Sequence, residues 1–163
     1  PLSVAALATL NLALNFVTIV IFVVASGVSP RWTWLLLPLP IAGILLLATG
    51  VGMLLAALYV PFRDARPIWE VIAQALFYAT PILWPVQALA ERSEVLAQAA
   101  MSNPIAVLIQ EFRRLLIGPA VPSSVEIAGG WTLLLIPAAL LLGLTALGFF
   151  VFSRMAPHAA ENL

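Results

Sequence analysis

Three groups of residues have types and spacing suited to binding or chemistry. In VPFRDARP, Phe62, Arg63, Asp64 and Arg66 fall within five positions, in a chain with only seven basic and seven acidic residues. In FYATPILWP, Phe77, Tyr78 and Trp84 surround Pro81 and offer flat faces for stacking on sugar rings. In NPIAVLIQEFRRLLIG, the residues Asn103, Gln110, Glu111, Arg113 and Arg114 interrupt an apolar pattern. The arginines suit ion pairs and phosphate contacts. Catalysis would have to rest on isolated carboxylates such as Glu70 or Glu111.

Several chemistries lack their residues. The basic residues are all Arg, so there is no P-loop lysine. Neither H-E-x-x-H nor G-x-S-x-G occurs. With no Cys and a lone His158, no metal cluster and no cofactor is expected. A net charge of zero gives nucleic acid no bulk attraction.

The elements that carry these groups are read from hydropathy. The chain is 63% hydrophobic and 9% charged, against roughly 45–50% and about 25% for globular domains. Charge-free runs at 4–25, 35–59, 71–85 and 131–152 approach the ~20 apolar residues of a membrane helix. The expectation is an all-α, multi-pass membrane protein forming a single domain over 1–163. Its four transmembrane helices fall at about 4–27, 33–60, 68–85 and 131–153. A re-entrant or amphipathic helical segment lies between the third and fourth. The chain begins with Pro1, and it is expected to be a piece of a longer one.

The connectors differ in kind. SGVSPRW at 26–32 reads as a tight turn, with Trp32 and Trp34 at interfacial depth. VPFRDARP reads as a solvated loop, because a central Arg or Asp costs about 2.5–3.5 kcal/mol on the insertion scale. Pro61 and Pro67 are expected to end the helices on either side. Glu70, about three residues on, is expected to cap or to sit at the interface. Four spans put Arg63, Arg66 and Arg154 on one side, and Arg31, Arg92, Arg113 and Arg114 on the other. The cluster near the span ends points to the first side as cytoplasmic.

Within the long third connector, Asn103 reads as an N-cap, Pro104 as the first helical residue and Gly118 as the stop. Ile105, Leu108, Phe112, Leu115 and Leu116 share one face of the helix. Asn103, Gln110, Arg113 and Arg114 share another. Such a helix can lie on a surface, or dip in with its polar face toward water. Pro81 is read either as a kink or as a break in a path-lining helix. Asn11 and Asn15, with Thr18, and the small residues Ala48, Gly52 and Ala56 are expected to serve helix packing.

Together LLAALYVPFRDAR, FYATPILWP, NPIAVLIQEFRRLLIG and FFVFSRMAPHAAENL resemble membrane subunits of the ABC-type polysaccharide and polyol phosphate export family. That family includes the permeases for O-antigen and teichoic acid. The matching parts are Phe62-Arg63-Asp64, Phe77 to Pro81, Asn103-Pro104 and Glu111-Phe112-Arg113.

The resemblance implies a bacterial inner-membrane permease, not an enzyme. It implies six spans per subunit, of which these would be the last four, and a partner ATP-binding ABC subunit on a separate chain. It also implies a second copy of the chain, contact with membrane lipid and a glycan substrate, either a lipid-linked polysaccharide or a polyol phosphate. Phe62, Arg63, Asp64 and Arg66 would face the cytosol near the ATPase. Residues 86–118 would form an extracytoplasmic re-entrant region, with Asn103 to Gly118 as a gate helix. The start and stop signals and long apolar face of this segment add the expectation that Gln110, Arg113 and Arg114 face water or a neighbouring gate element, and that Glu111, at the polar-apolar boundary, pairs with an Arg of the second subunit or of the same gate. The alternatives are an exporter of drugs or small lipids, a membrane-embedded sugar transferase and a structural assembly subunit.

Overall fold

A computed structural model describes residues 2–59, 61–62 and 64–160. Among these the fold is all-helical. The elements are α1 (Leu2–Ala25), a 3-10 turn (Trp32–Leu36), α2 (Pro38–Tyr59), α3 (Ala65–Ala79), α4 (Val86–Ala90), α5 (Glu94–Ala100), α6 (Pro104–Ile117), α7 (Ser124–Ala128) and α8 (Leu135–Ala160).

Two stretches among the described residues are long and apolar enough to cross a membrane, Trp32–Tyr59 and Leu135–Met155. At 1.5 Å per residue, α2 alone spans about 33 Å, enough for a hydrocarbon core of about 30 Å. Only 17% of the most apolar part of the first stretch is buried, and 11% of the second. The core helix of a soluble protein would be mostly covered. Here Leu45, Leu142, Phe149 and similar side chains stand exposed.

The main pairing is α2 against α8. It depends on two glycines. A Cβ on Gly50 would lie 2.5 Å from the Thr145 Cα, and one on Gly148 would collide with the Gly50 carbonyl. The backbones therefore touch, as small residues permit in membrane helices. The stripe Ala48, Gly52 and Ala56 does not make this contact. All three are exposed, and a Cβ on Gly52 would meet nothing within 4 Å. The packing stripe lies on the adjoining face, with Leu47, Gly50 and Ala57 buried.

Three expected boundaries shift. Helix α8 begins at Leu135 rather than 131, after a turn through Trp131. The third expected span, 68–85, is instead α3, 15 residues from Ala65 to Ala79. Pro67 does not delimit it from outside. It sits in the first turn, where a helix needs no N–H. Glu70 thereby falls in the second turn and pairs with Arg66 across 3.4 Å, both side chains exposed. Pro81 is not an interior kink either. The helix has already ended at Thr80, whose backbone is extended.

Residues 80–134 form a compact cap between α3 and α8. Its core is Val86, Ala97, Met101, Ala106, Ile127 and Ala128, with Trp84, Val107, Leu133 and Leu134 packed around it. The cap rests on α2 and α8 through α6. A Cβ on Gly43 would come within 2.6 Å of Leu108, so α6 approaches α2 closely.

Candidate functional site

The candidate site is built around α6, whose ends are fixed by side chains. At the N-terminus the Asn103 Oδ1 accepts from the Ile105 N–H at 3.0 Å, and Pro104 follows. At the C-terminus Gly118 has φ +118°. A Cβ there would collide with the Arg31 guanidinium. Two carbonyls that a helix leaves without partners are satisfied from the 3-10 turn. The Thr33 hydroxyl donates to the Leu115 carbonyl at 2.9 Å, and the Trp34 indole N–H donates to that of Leu116 at 3.0 Å. The cation of Arg31 beside this terminus also complements the helix dipole.

The polar side chains of α6 hold the chain on both sides of it. Toward the preceding segment, the Asn103 amide donates to the Thr80 hydroxyl at 3.1 Å. Thr80 passes the bond to the Leu76 carbonyl at 2.7 Å, tying it to the last turn of α3. Arg113 donates to the Ile82 carbonyl at 2.9 Å and to that of Trp84 at 3.4 Å. Toward the following segment, the Gln110 amide donates to the Pro122 carbonyl at 2.8 Å. The Glu111 carboxylate accepts from the Ser124 N–H at 2.8 Å. One helix thus clamps residues 80–84 and 122–124 together.

This geometry corrects two expectations. Gln110 does not face water: it is 0% exposed, and its Oε1 has no hydrogen-bond partner. The helical wheel ranked it by polarity, whereas its carbonyl partner lies inside the cap. Glu111 pairs with no Arg among the described residues, so not with one of its own helix; it accepts from the first N–H of the short helix α7. Arg113 lies half-buried as a clamp on the segment after α3. Arg114 has no ion-pair or hydrogen-bond partner among the described residues.

The aromatic group divides. Phe77 and Tyr78 meet edge to face at 5.5 Å and are both exposed. Trp84 is half-buried against the cap core instead, with its indole N–H 3.4 Å from the Tyr78 carbonyl. Phe62, Asp64 and Arg66 are exposed near the N-terminus of α3. Arg63 lies outside the described residues. Phe62 and Asp64 border an apolar groove shared with Leu54, Leu58, Ile68 and Trp69. The loop and the clamp therefore sit at opposite ends of α3, about 22 Å apart at 1.5 Å per residue.

Ser123, Ser124 and Trp131 stand outside the three residue groups that the sequence marks, whereas Thr80 belongs to the FYATPILWP group. Ser123-x-x-Glu126 carried a readable signal, since both halves of the capping box form. The Thr80 and Ser124 contacts join residues 23 and 13 positions apart and left no local pattern. No group of three or more His, Cys, Asp or Glu among the described residues is placed to hold a metal ion.

The chain is similar to the O-antigen export system permease protein RfbA of Myxococcus xanthus, 26% identical over 124 residues. The match takes in 76% of this chain and 47% of the relative, so the chain spans about half the length of the curated relative it matches. No family model and no solved structure matches. The resemblance to export permeases, carried by the four motifs, thus stands on this relative as well. Together with the two long, exposed apolar helices, it marks a membrane protein.

Proposed function

We propose that the chain is the transmembrane part of an ATP-driven exporter that moves a lipid-linked polysaccharide or polyol phosphate across the bacterial inner membrane. The observation that carries this reading is the similarity to an O-antigen export permease over 124 residues. The match takes in 47% of the relative, so the remaining spans and the main contact with the ATPase would lie outside this stretch.

In this reading α1, α2, α3 and α8 all belong to the membrane. The short α3 continues through the turn at 80–85 rather than crossing as a straight rod. Two copies flank the path, and two ATPase chains drive it. The loop holding Phe62, Arg63, Asp64 and Arg66 faces the cytosol, and the cap faces outward. The separation of loop and clamp by the length of α3 supports opposite sides. The clamp gives the cap a moving part, because α6 links the end of α3 to the entry of α8. A shift of α3 is passed through Asn103 and Arg113 to α6, and through Glu111 to residues 122–124.

The test uses the full-length subunit in its membrane. The expected result is co-purification of an ATPase chain and loss of surface glycan when the subunit is deleted. A Cys at Ala65, in a background without other Cys, should react with an impermeant thiol reagent only from the cytoplasmic face. A subunit that binds no ATPase and whose deletion leaves surface glycan unchanged would overturn the reading.

A further inference from the structure

A cleft of about 600 Å³ opens between α6, the entry of α7 and the turn before α8, within the roughly 300–1,000 Å³ of small-molecule sites. We propose that it binds a neutral sugar ring, stacked on Trp131 and clasped by Arg114, Glu111 and Glu126. As a subsite for the exported glycan it rests on the export reading above.

Four observations converge. First, Trp131 lines the cleft and is 75% exposed. It follows Gly129 and Gly130, both at positive φ, whose turn presents the indole. Its N–H has no partner among the described residues, which leaves a donor at the edge of an apolar platform.

Second, the two carboxylates are fixed but not used up. Glu111 accepts from the Ser124 N–H with Oε1, and Glu126 accepts from the Ser123 N–H with Oε2, each at 2.8 Å. The other oxygen of each has no protein partner among the described residues. A planar acceptor already held by the backbone loses little side-chain entropy on binding a hydroxyl.

Third, Arg114 is half-buried beside the same cleft without a partner among the described residues. Its neighbour Arg113 is committed to two carbonyls. A partly desolvated guanidinium is stabilised by any acceptor it meets. Fourth, the charges select the ligand. Two carboxylates and one guanidinium leave the cleft net negative, which disfavours phosphate and uronate. Neutral vicinal hydroxyls donate to the carboxylates and accept from the guanidinium at once.

The test titrates the full-length subunit in lipid nanodiscs with mannohexaose, maltohexaose and chitohexaose, and with a glycerol phosphate hexamer. Binding is read by calorimetry. At least one neutral hexaose should bind saturably. Trp131→Ala should weaken it at least tenfold, and Trp131→Phe much less. Trp32→Ala, which removes another exposed indole outside the cleft, should leave it unchanged. Three results would each overturn the proposal: no saturable binding of a neutral hexaose, tighter Trp131-dependent binding of the phosphate hexamer, or a Trp131→Cys disulfide between two copies. The titration uses neither ATP nor transport. If sugars bind while no ATPase co-purifies and export is absent, the export reading fails and the sugar site stands.

Discussion

The cap and the long helices are held together in opposite ways. The cap closes on its own apolar core around Met101, with buried polar groups tied to backbone carbonyls and amides. In α2 and α8 most apolar side chains point away from the protein, and the two helices meet backbone to backbone at Gly50 and Gly148. The contrast follows from the surroundings. Lipid solvates Leu and Phe as well as another helix does, so the long helices gain by close approach rather than by burial. The cap has to exclude water for itself, as any small globular core does.

The comparison breaks most sharply at the helix contact. Gly148→Leu drives a side chain into the Gly50 carbonyl, and backbone cannot step aside. The expected result is loss of the monodisperse folded subunit in detergent, beyond the roughly 1–3 kcal/mol of ordinary overpacking. Gly52→Ala, where a Cβ meets nothing, should leave the elution profile and melting temperature unchanged.

Equal truncations in the two regions sharpen it. Met101→Ala removes a side chain that is 0% exposed, and should lower stability by about 2–5 kcal/mol. Leu142→Ala on α8, where Leu142 is 62% exposed, should change it by less than about 0.5 kcal/mol. Thermal unfolding in the same detergent compares them directly. Similar losses would mean that the α8 face is covered by protein rather than by lipid.

The clamp comes next. Arg113→Gln forfeits the charged bonds to Ile82 and Trp84 and should cost about 1.5–3 kcal/mol, with faster amide exchange over residues 80–85. Glu111→Gln keeps an acceptor for the Ser124 N–H and should cost less. The two side chains share no partner, so the double variant should be additive within about 0.5 kcal/mol. Non-additivity in a double-mutant cycle would reveal a direct Glu111–Arg113 coupling that this geometry lacks.

The smallest effect is expected at Glu70. Its pair with Arg66 is exposed and one turn apart, so Glu70→Gln should cost about 0.3–0.5 kcal/mol and leave the proposed export unaffected. Loss of export at normal protein level would give Glu70 a role beyond that pair.

What depends on neighbours along the chain was legible in the residues themselves. Charge-free runs produced α1, α2 and α8, because their residues have no good alternative to an apolar surrounding. Asn103, Pro104 and Gly118 set the ends of α6 through local hydrogen bonds and allowed dihedrals. The amphipathic pattern located that helix between the last two apolar stretches.

Which way polar residues point and which glycines touch follow instead from packing between segments far apart in the chain. Gln110 and Arg113 look like a solvated face on a helical wheel, with Glu111 at its border. They turn inward because Pro122, Ile82, Trp84 and Ser124 bring backbone groups to meet them. Gly50 and Ala48 are equally small, yet only Gly50 faces Thr145 and Gly148. A period of 3.6 residues defines faces but not partners. The partner depends on how α8 returns some ninety residues later, and no local pattern encodes that.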